Sequence, residues 1–184
     1  MKAILTLIMV CAMLQTPEPP KPPQFPEGLY LQQETSTSCT LCASTMMVRS
    51  ALYTRNCDGW ECIEEEDIAT PAWCGDGLLW NWCYTRNGTT ILVSHTQLQG
   101  TTEESLNQIL RDHPEGIVLY CGGAVHHGVF LTRYADGVFY CADPAVGYAG
   151  EEIPLEQSLL GTRLGKQSSI LSAATACWYV DNET

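Results

Sequence analysis

The stretch GVFLTRYADGVFYCAD, residues 128–143, constrains the fold of this chain more than any other. Two runs rich in Val, Phe, Leu and Tyr flank Ala135-Asp136-Gly137, and such runs around a short glycine-containing loop predict an antiparallel hairpin. With a three-residue loop and Gly137 left-handed, Tyr134 pairs with Val138 and His127 falls opposite Ala145. Asp143 is then a diagonal neighbour of His127 on the same face, about 7–8 Å away by backbone, which two side chains close to a hydrogen bond. His126, one position out of phase, points the other way. A two-residue loop would reverse the parity and part His127 from Asp143.

The other elements frame that hairpin. IVLYC at 117–121 is a buried-type strand, ATACWYV at 174–180 a final strand, and the Asn87-Gly88 turn leads into a strand over Ile91–Ser94. TLCASTMMVRSALY, 40–53, has no Gly or Pro and carries Leu41, Ser44, Val48 and Leu52 at helical spacing, with Ser36, Thr37 or Ser38 as its cap. TTEESLNQILRDHPEG is a second helix, with Thr101 and Glu104 as a capping box and His113-Pro114 as its stop. Residues 56–77 are expected as loop with a short helix near Ile63–Ala69, and Ile153–Leu160 as a turn and short helix. One long early helix followed by an antiparallel sheet is an α+β order.

At 184 residues the chain suits one domain. A formal charge of -12 excludes a nucleic-acid partner, which needs a basic surface, and favours a cationic or neutral one. MKAILTLIMVCAMLQT, residues 1–16, joins one Lys to an apolar run too short to span a bilayer and reads as an export signal, so the expected location is secreted or cell-surface. Membrane contact is expected only through that segment. The proline-rich residues 17–28 read as a stiff tether and 29–184 as the folded domain, expected to be a monomer. Beyond Cys11 there are nine cysteines, which an oxidising compartment would allow to form up to four bridges; Cys57 and Cys62, flanking a short Gly-containing turn, are the pair most readily bridged. Five tryptophans are expected chiefly in the core.

Cys39 stands where a helix begins. Free backbone N–H groups and the helix dipole favour a thiolate there, and the thiolate is the nucleophile. Its own N–H and the side-chain amide of Gln33 are candidate donors to an oxyanion. His127 is the candidate base and Asp143 its orienter. The order Gln33, Cys39, His127, Asp143, carried in LQQETSTSCTLCASTMMVRSALY, HPEGIVLY, HGVFLTRYADGVFYCADP and the following IPL, resembles the papain-type fold. These segments are similar to the family-thirty-nine-like bacterial cysteine peptidases, relatives of the enzymes that remove double-glycine leaders from bacteriocin precursors. The resemblance covers the front of the domain and its central third. It implies a nucleophile-bearing helix packed on an antiparallel sheet and a peptide or protein substrate; no cofactor and no metal are expected. It also implies Cys39 as nucleophile, His127 as base, Asp143 as orienter and Gln33 as oxyanion donor. Cys42 stands where such relatives carry a small residue.

Three rivals compete. Cys39-Thr-Leu-Cys42 opens a helix as a thiol–disulfide redox pair does, but only QQETSTS precedes it and no βαβ pattern follows. Cys39, Cys42, Cys57 and Cys62 have metal-ligand chemistry, though the second pair is spaced by four residues and nothing fixes the set. A retired peptidase stapled by disulfides into a binding module is the non-enzymatic reading.

Overall fold

The computed structural model describes residues 26, 28–75 and 77–181. The export signal and nearly all of the proline-rich tether lie outside the described residues. The helices are α1 (Cys39–Thr54), α2 (Glu65–Ala72), α3 (Glu103–Asp112), α4 (Leu159–Leu164) and α5 (Gln167–Ala173). The strands are β1 (Trp73–Cys74), β2 (Gly77–Leu78), β3 (Trp82–Arg86), β4 (Thr89–Gln97), β5 (Ile117–Cys121), β6 (His127–Ala135), β7 (Val138–Ala142), β8 (Glu152–Pro154) and β9 (Ala174–Val180). β1 and β2 form a small ribbon, and the rest make a seven-stranded antiparallel sheet in the order β3-β4-β9-β5-β6-β7-β8. The chain is therefore mixed α+β. Among the described residues no helix is long and apolar enough to cross a membrane.

Both faces of the sheet are covered, which is why IVLYC reads as an unbroken apolar run rather than an alternating one. Val118, Phe130, Ala142 and Val180 pack with Met46, Met47, Leu52 and Ile68 of α1 and α2. Ile117, Leu119, Leu131 and Cys141 pack with Leu106, Leu110, Leu160 and Ile170 of α3, α4 and α5. Burying each such side chain contributes roughly 1.5–3 kcal/mol. The first helix is buried all round from Cys39 to Leu52, not only along Leu41, Ser44, Val48 and Leu52. Sheet on one side and α2 with the incoming Leu29 on the other leave it little solvent. Its one buried cation, Arg49, is held by the carbonyls of Ile63 (2.6 Å) and Gly28 (2.6 Å) and by Glu64 (3.3 Å), which ties the domain's entry to the middle of α1.

Several boundaries differ from expectation. The short helix expected near Ile63–Ala69 is α2, shifted to Glu65–Ala72 and capped reciprocally by Glu64 and Asp67, with an additional 3₁₀ turn at Trp60–Cys62 before it. The α3 cap is Thr102, whose hydroxyl accepts from the Ser105 N–H, one residue later than the expected Thr101. β4 runs well past Ser94 to Gln97. The β6–β7 loop has two residues, not three: Ala135 pairs with Val138, and Asp136 and Gly137 both have positive φ (52° and 81°), the pattern of a type I′ turn. That turn alone would separate His127 from Asp143. A bulge between Leu131 and Arg133 leaves Thr132 unopposed and restores the parity, so Phe130 faces Ala142 and the register continues as if the loop were longer.

Candidate active site

Three elements converge at the end of the sheet where β6 begins. α1 starts there with Cys39, 6% exposed, and Ser38 makes no side-chain cap bond, so its hydroxyl occupies none of the free N–H groups of the first turn. β6 starts with His127, paired to Cys121 of β5. The next residue has to be glycine: a Cβ on Gly128 would stand 2.7 Å from Cγ2 of Thr40. That close approach seats the first turn of α1 on β6 and brings the thiol to the imidazole.

Nε2 of His127 and Oδ1 of Asp143 are 2.7 Å apart, with both side chains buried. The same carboxylate accepts the Ala145 N–H at Oδ1 (2.9 Å) and the Leu159 N–H at Oδ2 (2.7 Å). Asp143 is thus fixed by its own turn and by the start of α4. With Nε2 engaged, Nδ1 is the nitrogen left for the sulfur. Burial pushes the His127 ring down, but hydrogen bonds to Asp143 and Cys39 and the negative charge of both outweigh it and hold the imidazolium up to about 9. His126 lies just before β6 rather than on it, so strand parity does not aim its ring: it is exposed, left-handed at φ 44°, its Nδ1 lies 3.0 Å from the Tyr120 hydroxyl, and it borders the same opening as Cys39. Its carbonyl oxygen is 4.0 Å from Cys39 Sγ.

Cys42 shares none of this. Fully buried, its thiol is driven far up by burial and then by the carboxylate of Glu65 beside it. Glu65, itself 4% exposed and pushed upward by burial, accepts the Glu34 N–H at 2.9 Å and touches Ser38, so it props the loop leading into Cys39. Gln33 is anchored by its N–H on the Pro144 carbonyl (2.9 Å), one residue from Asp143. Its Nε2 donates one hydrogen to the Thr35 carbonyl (2.7 Å), leaving the second for another acceptor, while its Oε1 is buried without a partner. Cys39, His127 and Asp143 are brought together; Gln33 comes to their flank.

Cys39 opens on a groove of about 680 Å³ whose walls include Trp73, Trp80, Tyr120, His126, Arg163 and Trp178. The tryptophans sit chiefly in the core as expected, Trp82 and Trp178 buried in it and Trp60 and Trp73 packed against it, while Trp73, Trp80 and Trp178 also border this groove. The cysteines depart from expectation: all nine described ones are free, and Cys57 Sγ is turned to the Arg86 carbonyl (3.7 Å) instead of to exposed Cys62. Cys39 and Cys42 are likewise unbonded. Among the described residues no group of His, Cys, Asp and Glu comes together as a metal site.

Sequence pattern does not reveal Glu65, Tyr120, Leu159 or Arg163, whose roles come from packing across the chain. Gly128 had a signal, a glycine directly after the candidate base. No family model matches the chain, and neither does any curated protein or solved structure.

Proposed function

We propose that the chain is a papain-type cysteine peptidase, hydrolysing a peptide or isopeptide bond through a thioester on Cys39. The observation that carries this reading is the buried relay from Asp143 through His127 to a cysteine that opens on a groove. In the first half-reaction the sulfur, its proton taken by His127, attacks the substrate carbonyl carbon. A C–S bond forms, and the carbonyl oxygen carries the negative charge toward the Cys39 N–H and the second Nε2 hydrogen of Gln33. The C–N bond then breaks as His127 returns the proton to the leaving amine. In the second half-reaction His127 takes a proton from water, the hydroxide adds to the thioester, and the C–S bond breaks to release the acid and restore the thiol. Asp143 holds the ring in one tautomer and stabilises its charge throughout.

Turnover of a peptide library by the wild-type chain and by Cys39→Ala tests it. A loss of at least about 10³-fold is expected, since nothing replaces the nucleophile. Unchanged turnover ends the proposal. Iodoacetamide on the native chain should label Cys39 ahead of exposed Cys62, Cys74 and Cys83.

A further inference from the structure

The groove beside Cys39 has a charge pattern opposite to that of the molecule. The chain holds 21 acidic and 9 basic residues, yet the described lining contains no Asp or Glu. It holds two histidines, His95 and His126, and one permanent cation, Arg163. Among the described residues Arg163 has no carboxylate within ion-pair distance, although its side chain is exposed and acidic residues are abundant. Its guanidinium is nonetheless fixed: Nη1 donates to the Val125 carbonyl at 2.6 Å, which leaves the other N–H groups of the fork to face the groove. The residue that fixes it is next to His126, whose carbonyl is 4.0 Å from the sulfur. The helix that carries it also reaches Asp143, because Arg163 lies on α4 one turn after Leu159, whose N–H donates to that carboxylate.

We infer that Arg163 receives a carboxylate of the substrate, so that the preferred peptide carries an anionic group close to the bond that is cut. This rests on the peptidase reading of Cys39 and names the substrate class for it. Through Val125 and His126 the guanidinium stands within about 12 Å of the sulfur, no more than about four residues of extended peptide. A planar fork of N–H donors matches a carboxylate in both charge and shape. Beside it runs an aromatic wall. Trp80, 68% exposed, stacks on His95 at 5.4 Å, and His95 leans on Trp178 at 5.0 Å, surfaces suited to a flat apolar side chain next to the charge. The carboxylate is either an acidic side chain or a peptide C-terminus, which share this chemistry.

Binding to the Cys39→Ala chain separates the two sources and needs no turnover. Three probes are titrated by tryptophan fluorescence at low salt: acetyl-Ala-Phe-Gln amide, acetyl-Ala-Phe-Glu amide, and acetyl-Ala-Phe-Gln with a free carboxylate. One anionic probe is expected to bind about threefold to tenfold more tightly than the neutral one, with the advantage falling as salt is raised. A second substitution, Arg163→Gln, should abolish that advantage and Arg163→Lys should keep part of it, with unfolding midpoints measured to show that both remain folded. Equal binding of the three probes, no binding by any, an advantage indifferent to salt, or one that survives Arg163→Gln overturns the inference. Should the anion preference hold while the wild-type chain cleaves no peptide, the peptidase reading fails and the carboxylate site stands.

Discussion

Two cysteines three positions apart on one helix meet opposite fates, and the cause is where the first turn of α1 lies. Cys39 meets the His127 ring and the groove; Cys42 is sealed against Glu65. Cys42→Ala is therefore expected to keep peptide turnover within about threefold and to cost on the order of 1 kcal/mol of stability, read from denaturant unfolding. Asp143→Asn should act differently. It keeps the shape but removes the charge, so the His127 titration followed by NMR should move below its value of about 9, and turnover should fall by at least about 10²-fold. Cys39 was legible in the sequence because a helix start is a local rule, whereas His127 and Asp143 came out on one face because a shorter turn and an unforeseen bulge offset each other. Arg163 and Tyr120 were not legible, since each gains its place through a partner far along the chain or across a turn that no short pattern records.

At the scale of elements, the hairpin was legible in its existence and its outcome but not in its construction. The expected three-residue loop and the observed two-residue turn with a bulge at Thr132 place His127 and Asp143 on the same face. Parity at a distance depends on the sum of turn and bulge, and a bulge leaves no clear mark in apolar alternation. α3 was legible from its cap-and-stripe pattern to within one residue. α2 was legible as a short helix but not in its bounds, and no local pattern shows that its first residue, Glu65, is buried under the loop before α1. The seam between α1 and β6 offers a sharp test. Gly128→Ala forces a methyl against Thr40 and should lower turnover by at least about tenfold, with a stability cost of about 1–3 kcal/mol. Adding Thr40→Ser removes the opposing Cγ2 and should recover most of both, as a double-mutant cycle would report.

For the whole molecule, pH dependence follows from two buried groups acting in one direction. His127 holds its proton more tightly folded than its ordinary value of 6.5, so its contribution to stability is complete below about 6.5 and is lost as pH rises through about 9. Glu65, raised by burial, acts in the same direction, its contribution being lost as pH rises from the ordinary glutamate value. The His127 window sets the test: the unfolding midpoint should be lower at pH 9 than at pH 6.5, and His127→Gln should flatten that difference. Thiol titration of the chain unfolded without reductant should find at least nine free thiols, whereas a disulfide-stapled module would show fewer. The burial of α1 on all sides carries a final consequence. Its first residue and the imidazole are brought together only after strands far apart in the chain have closed around the helix, and such long-range closure comes late in folding. Cys39 should thus gain its selective labelling in the last refolding phase, so that a half-finished chain carries a harmless thiol.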